Sequence, residues 1–118
     1  GTQVEKKGLN LLWGPGNDIV STTALTAAGA HIILFTTGRG TSLGAPVPTI
    51  KISSNTRLFD KKRNWIDFNA GTLIEGEMFD ELTKDLLNLI INTAGGQKTK
   101  NEINGYRDIS IFKDGVIM

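Results

Sequence analysis

The sequence contains no cysteine, and it has only one histidine, one tyrosine, two tryptophans and three prolines. The lack of cysteine excludes disulfide bonds, thiolate metal sites and a cysteine nucleophile within the chain. No apolar run approaches the roughly 18 residues that a membrane-spanning helix needs, and no basic-then-apolar signal sequence opens the chain. These absences favour a cytoplasmic location.

Neither sign of charge dominates, because 13 Lys and Arg residues oppose 12 Asp and Glu residues. Bulk electrostatics therefore gives no support for nucleic acid or a membrane surface as a partner. The content of 39% hydrophobic and 21% charged residues is typical of a soluble folded protein, and 118 residues fit one domain. The polar start without an initiator Met predicts that residues 1–118 are one domain of a longer polypeptide.

Short apolar runs separated by glycine and helical patterns predict an α/β fold. A buried strand at residues 9–13, a helix capped by Asn17 or Asp18 and a strand at 31–36 form a predicted βαβ unit. The remaining predictions are strands at 49–53 and 66–68, a short helix at 55–62 capped by Asn55, a helix at 77–93, an irregular polar segment at 98–106 and an edge strand at 109–112 before Asp114-Gly115. Together they indicate a single three-layer Rossmann-like domain with a mostly parallel sheet of about four to five strands.

The stretch from Phe35 to Gly71 carries the strongest functional signal. Three times an apolar, β-prone run ends in polar residues and glycine, at residues 35–41, 48–55 and 65–71. Loops at the carboxyl ends of strands are where open α/β sheets bind ligands. The pattern predicts one polar site assembled from three strand ends.

Arg39 stands between Gly38 and Gly40 in this stretch. The glycines let the backbone approach a ligand closely, and the guanidinium suits bidentate binding of a carboxylate. The alternative is a glycine-rich turn with a solvated Arg.

Lys51 lies in the middle of an alternating strand. It is a candidate to bind a substrate carboxylate or, with a lowered pKa, to take the proton alpha to it. The alternative is that this face of the strand is exposed to solvent. Asp67 and Asn69 flank Phe68, and a carboxylate with an amide two residues later suits sugar hydroxyls or a divalent cation. The alternative for this pair is a capping or turn role before Gly71.

The turn Gly14-Pro15-Gly16 precedes a helix N-terminus, which favours an anion. However, Ile19 replaces the third glycine of a dinucleotide fingerprint, and the Walker pattern is absent. A capped turn and a contribution to the site both remain open. His31 is interpreted as a surface or strand-end residue.

With these residues in view, the chain resembles the altronate/galactarate dehydratase family over nearly its whole length. The resemblance runs through Gly14–Asp18 with Ser21-Thr22, residues 34–41, residues 47–52 with Asn55, Lys61-Lys62, residues 65–71, Asn101-Glu102 and residues 111–116. The run Trp65-Ile-Asp-Phe68 favours the altronate branch. The resemblance implies a hydro-lyase that dehydrates D-altronate to 2-dehydro-3-deoxy-D-gluconate with a divalent metal, usually Fe²⁺. Preceding domains of the same polypeptide would hold most of that metal's ligands, and the isolated domain is expected to be inactive.

The resemblance and the chemistry together imply roles for nine residues. Arg39, with Thr37, Gly38, Gly40 and Thr41, is expected to bind the substrate carboxylate. Lys51 is a second cation or the base, and Asp67 is an acid or a partner of a metal ligand. Asn55, Asn69 and Asp67 itself are expected to bind hydroxyl groups.

Other functions remain open from the sequence. A galactarate or related sugar-acid dehydratase domain is the nearest alternative, followed by a phosphate- or nucleotide-binding module and a purely structural inter-domain module. The expected partners are the sugar-acid substrate and the preceding domains, with a second copy of the chain as a further candidate.

Overall fold

The structure, a computed structural model, describes residues 2–112. In chain order its elements are α1 (Asp18–Ala27), β1 (Ile33–Thr37), β2 (Thr49–Ser53), α2 (Thr56–Lys61), β3 (Phe68–Asn69), a 3₁₀ helix (Gly71–Leu73), α3 (Phe79–Ala94) and α4 (Lys100–Asn104). The predicted α/β class is therefore confirmed. Asp114 and Gly115 lie outside the described residues.

The three strands form one parallel sheet with β2 in the centre. Thr37 is in register with Ser53, and Ser53 is in register with Asn69, so the three strands end side by side. The prediction of a mostly parallel sheet is confirmed. The expected count of four to five strands and the Rossmann-like layering are not, because residues 2–112 contain three strands.

β2 is buried along its whole length, since strands flank it on both sides and helices pack against it. Ile50 and Ile52 alternate with Thr49, Lys51 and Ser53, so one face of this strand is apolar and the other is polar. The apolar core consists of Val20, Ala24, Ala28, Ile33, Ala45, Ile50, Ile52, Leu58 and Ile66. Burial of a complete polar face requires that its groups find partners inside the protein.

The prediction of a strand at residues 9–13 is wrong. These residues have no regular secondary structure, and Leu9 and Trp13 are 94% and 100% exposed. A strand needs a neighbour to pair with, and none of the described strands lies beside this run. The predicted βαβ unit is consequently not formed, although α1 itself is present.

Residues 109–112 do not form the predicted edge strand either. The backbone N–H of Ser110 donates a hydrogen bond to Thr23 Oγ1 of α1 at 3.0 Å, so it pairs with a helix side chain rather than with a strand. The segment 98–106, predicted to be irregular, contains α4.

The helix caps follow the local sequence. Asn17 Oδ1 accepts the backbone N–H of Ile19 at 3.2 Å and caps α1, and Asn55 Oδ1 accepts that of Leu58 at 2.8 Å and caps α2. Such side-chain acceptors satisfy N–H groups that have no partner within the helix. None of the helices in residues 2–112 is long and apolar enough to cross a membrane.

Candidate functional site

The carboxyl ends of the three parallel strands form a polar edge. Thr37 ends β1, Ser53 ends β2 and Asn69 ends β3, and the register places them in one row. The segments that follow these strand ends carry Arg39, Asn55 and Gly71. The three predicted polar clusters meet at this edge.

The loop after β1 has a backbone that side chains hold in place. Thr37 Oγ1 accepts the N–H of Gly40 at 3.0 Å, and Asn55 Nδ2 donates to the carbonyl of Gly38 at 3.1 Å. Gly40 has φ +85°, and a Cβ atom there would lie 2.9 Å from Leu58 Cδ1. Glycine at position 40 is thus favoured by both conformation and space.

Arg39 sits between these fixed points with an exposed side chain. It forms no hydrogen bond or salt bridge with another described residue. Within residues 2–112 the one salt bridge joins Arg63 to Asp60 at 2.6 Å. A guanidinium that is held on an ordered loop and has no partner among residues 2–112 is suited to bind a planar anion such as a carboxylate.

The side-chain amides of Asn55 and Asn69 connect the loops of this edge. Asn69 Nδ2 donates to Thr56 Oγ1 at 3.0 Å, and its Oδ1 accepts the N–H of Gly71 at 2.9 Å. Asn55 links Gly38 to α2 in the same way. Both residues are half-buried, so they shape the edge as well as line it.

Lys51 is predicted to be catalytic, and its side chain is enclosed. It is 0% exposed, and its Nζ donates a hydrogen bond to the carbonyl of Thr41. Burial lowers the pKa of Lys51 to about 8, while the nearby charges of Asp67 and Asp108 oppose that shift. The ammonium group therefore holds the loop after β1 from within the protein, through the carbonyl of Thr41.

Asp67, the other residue predicted to be catalytic, accepts hydrogen bonds from two backbone N–H groups. Its Oδ2 accepts the N–H of Lys51 at 2.8 Å, and its Oδ1 accepts the N–H of Lys100 at 2.8 Å. Burial raises the pKa of Asp67, and these two hydrogen bonds oppose the shift. The carboxylate thereby joins β2 to the first residue of α4.

Asp67 also lines a cleft of about 580 Å³ beside α4. The other residues that line this cleft are Leu89, Thr93, Gln97, Lys98, Thr99, Lys100 and Ile103. Apart from Asp67, none of the predicted site residues lines it. The predicted site residues therefore divide into a group at the strand ends, the enclosed side chain of Lys51, and the half-buried carboxylate of Asp67 beside this cleft.

Sequence reasoning missed the groups that hold the far end of the loop. Asp108 Oδ2 accepts the N–H of Gly44 at 3.1 Å, and Thr49 Oγ1 accepts that of Ala45 at 3.1 Å. A Cβ at position 44 would lie 2.3 Å from the carbonyl oxygen of Tyr106. No sequence signal links Gly44 to Asp108, since 64 residues separate them.

The described residues do not fit an iron site of their own. In residues 2–112 no three His, Cys, Asp or Glu side chains come together in a way that could hold a metal ion. Asp67 is predicted to be an acid or the partner of a metal ligand, and both of its carboxylate oxygens accept hydrogen bonds from backbone N–H groups.

Comparison with known proteins identifies the family. The family model described as D-galactarate/Altronate dehydratase, C-terminal, matches residues 1–117. Altronate dehydratase from Escherichia coli (strain K12) is 48% identical over 118 residues, which are 100% of this chain and 24% of that protein. Altronate dehydratase from Bacillus subtilis (strain 168) is 45% identical over 119 residues, again 100% of this chain and 24% of that protein.

A more distant relative is galactarate dehydratase (L-threo-forming) from Escherichia coli (strain K12), with 37% identity over 100 residues. That match covers 83% of this chain and 19% of the relative. The chain spans about a quarter of the length of the altronate dehydratases that it matches. It belongs to the D-galactarate/altronate dehydratase family, in the C-terminal region that the family model describes.

Proposed function

We propose that this chain is the C-terminal domain of a hydro-lyase that converts D-altronate to 2-dehydro-3-deoxy-D-gluconate and water. The observation that carries this proposal is the similarity to two altronate dehydratases over the full chain, at 48% and 45% identity. Galactarate is the second candidate substrate, and the lower identity of 37% to a galactarate dehydratase ranks it behind altronate.

The reaction requires stabilisation of negative charge. A base removes the proton alpha to the carboxylate, the resulting enediolate carries the charge, and the hydroxyl on the next carbon leaves as water with the help of an acid. Arg39 binds the substrate carboxylate, in the ground state and in the transition state alike. The exposed guanidinium and the fixed backbone of Gly38 and Gly40 support this role.

The neighbouring side chains complete the substrate site in this proposal. Thr37 and Thr41 flank the bound carboxylate, and Asn55 and Asn69 bind sugar hydroxyls at the strand ends. The predicted proton-transfer roles of Lys51 and Asp67 require that their backbone contacts open first. Those contacts support positioning roles better than direct proton transfer.

The rest of the full-length polypeptide supplies what this chain lacks. We propose that preceding domains hold most of the ligands of any Fe²⁺ that the enzyme uses, that this domain alone does not turn over substrate, and that the enzyme acts in the cytoplasm. The three-layer Rossmann-like sheet of four to five strands also remains a proposal, and its support is that β1 pairs on one side only among the described residues.

The nucleotide-binding alternative loses its main support. It depended on a strand before the Gly14-Pro15-Gly16 turn, and residues 9–13 do not form one. Asn17 caps α1 at this turn, in agreement with the alternative of a capped turn.

The test is Arg39→Lys in the full-length enzyme, with altronate as substrate. Lys retains the charge and loses the bidentate fork. We expect kcat/KM to fall roughly 10- to 100-fold, the equivalent of one charge-assisted hydrogen bond of about 1.5–3 kcal/mol.

The matched control is Arg63→Lys. Arg63 is exposed, follows the end of α2 and forms an ion pair with Asp60 of that helix. This variant should retain the wild-type kcat/KM. An Arg39→Lys enzyme as active as this control would refute the carboxylate clamp. Absence of altronate turnover in the wild-type enzyme would refute the substrate assignment.

A further inference from the structure

We propose that Lys51 is a positioning residue, whose ammonium group fixes the loop that carries Arg39 through the carbonyl of Thr41. The proposal deepens the proposed function and rests on it for the role of Arg39. It assigns to Lys51 a task that differs from proton transfer, and the two tasks predict different kinetics.

The first argument is the location of the Lys51 side chain. It is 0% exposed, and its Nζ donates to the carbonyl of Thr41. Thr41 follows Arg39 by two residues, with only Gly40 between them. A base must reach the carbon-bound proton of the substrate within hydrogen-bond distance or through one water, and an enclosed amine bonded to a loop carbonyl is not placed to do so.

The second argument is that Lys51 itself is firmly held. Its backbone N–H donates to Asp67 Oδ2 at 2.8 Å, and its carbonyl accepts the N–H of Asp67 at 3.0 Å. On the other side, Lys51 is in register with Phe35 of β1. The ammonium group therefore projects from a fixed point of the central strand.

The third argument is that the other anchors of this loop lie on either side of Thr41. Gly38 and Gly40 are held by Asn55 and Thr37, while Gly44 is held by Asp108. Among the described residues, Lys51 supplies the side-chain contact to the Thr41 carbonyl between these two groups. Its loss would release the segment next to Arg39 while the flanking anchors remain.

Steady-state kinetics of Lys51→Met and Lys51→Arg in the full-length enzyme separate the two roles. Positioning predicts that Lys51→Met raises KM for altronate roughly 10-fold and changes kcat by less than about 3-fold, because the carboxylate clamp binds ground state and transition state alike. A base role predicts a loss of about 10²- to 10⁴-fold in kcat with KM retained.

Lys51→Arg separates the base role from the positioning role more sharply, and it tests the proposal even if Lys51→Met does not fold. A guanidinium cannot lose its proton, so a base would be abolished, whereas a donor to the Thr41 carbonyl is retained. We expect Lys51→Arg to keep kcat within about 10-fold of wild type. An inactive and correctly folded Lys51→Arg enzyme would overturn the proposal. Lys61→Met, at an exposed lysine of α2, is the matched control.

Amide hydrogen exchange of the same proteins measures the loop without reference to turnover. Lys51→Met should exchange faster at residues 39–43, with residues 49–53 and the Lys61→Met control unchanged. Equal exchange in wild type and Lys51→Met would refute the positioning role even if altronate is the substrate. Conversely, faster loop exchange in an enzyme that does not act on altronate would retain the positioning role and reject the proposed function.

Discussion

At the scale of single residues, Asp67 extends the pairing between β2 and β3 by one residue, at the start of β3. It pairs with both backbone groups of Lys51, through its side chain and through its own N–H, and it adds the N–H of Lys100. The last of these is one of the N–H groups that a helix N-terminus leaves without an internal partner. One side chain thus attaches α4 to the central strand.

This double use of the carboxylate leads to a prediction for Asp67→Asn. The amide has a single oxygen, so either Lys51 or Lys100 loses its acceptor inside the protein. We expect the free energy of unfolding to fall by about 1–3 kcal/mol. Urea unfolding followed by circular dichroism measures it.

Asp60→Asn serves as the comparison for that prediction. It removes an exposed ion pair with Arg63, which is worth about 0–1 kcal/mol. Equal losses in the two variants would contradict a bridging role for Asp67.

Local signals in the sequence predicted some of these residue roles and not others. Asn55 was recognisable as a cap because its acceptor lies three residues from Leu58. The partners of Asp67 were not, since Lys51 and Lys100 lie 16 and 33 residues away. The sequence shows that a carboxylate lies near a strand end. Only the folded structure shows whether that carboxylate accepts hydrogen bonds from backbone N–H groups.

At the scale of secondary structure, α2 begins in close contact with the turn after β3. A Cβ atom at Gly71 would lie 2.4 Å from the nitrogen of Thr56 and 2.5 Å from Cα of Asn55. Both neighbours are backbone atoms, which cannot move aside as the end of a flexible side chain can. Only glycine allows these two elements to approach so closely.

We therefore predict that Gly71→Ala destabilises the domain by about 1–3 kcal/mol or more, as overpacking of a fixed site does. Gly16→Ala is the matched control, because a Cβ there meets no atom within 4 Å. It should change stability by less than about 0.5 kcal/mol. Thermal unfolding of both variants compares them, and a harmless Gly71→Ala would argue against the close contact.

The elements differ in how far their sequence predicts them. The strand at residues 49–53 and the Asn55-capped helix were predictable, because alternation and capping are local. α4 carries a readable signal too, since Thr99 and Glu102 form a capping box. The apolar run at residues 9–13 gave a wrong prediction. An apolar pattern predicts burial, but it does not show whether the described part of the chain contains a surface that buries it.

At the scale of the whole molecule, the shifted pKa values of Lys51 and Asp67 make stability depend on pH. Lys51 has its pKa lowered from 10.5 to about 8, so between these values the unfolded chain binds a proton that the folded chain lacks. Stability then rises with pH across that window. Asp67 acts in the acid range, where its raised pKa makes stability fall as pH rises just above 3.8.

The expected outcome is a higher urea midpoint at pH 9.5 than at pH 7.5, a window chosen because Lys51 titrates within it. Lys51→Met should show a smaller rise, whereas Lys61→Met, at an exposed site, should behave as wild type. The same midpoint for wild type at both pH values would show that Lys51 does not titrate differently in the folded chain.

The register of the sheet has a consequence for chain entropy. Both ladders join residues that are 16 positions apart, Ile33 with Thr49 and Ile52 with Phe68. The cost of closing a loop grows with the logarithm of its length, so each of these two closures costs less chain entropy than a pairing of more distant segments would. The row of strand ends that carries the candidate site is thus assembled within residues 33–71, by connections close to the shortest that parallel strands allow.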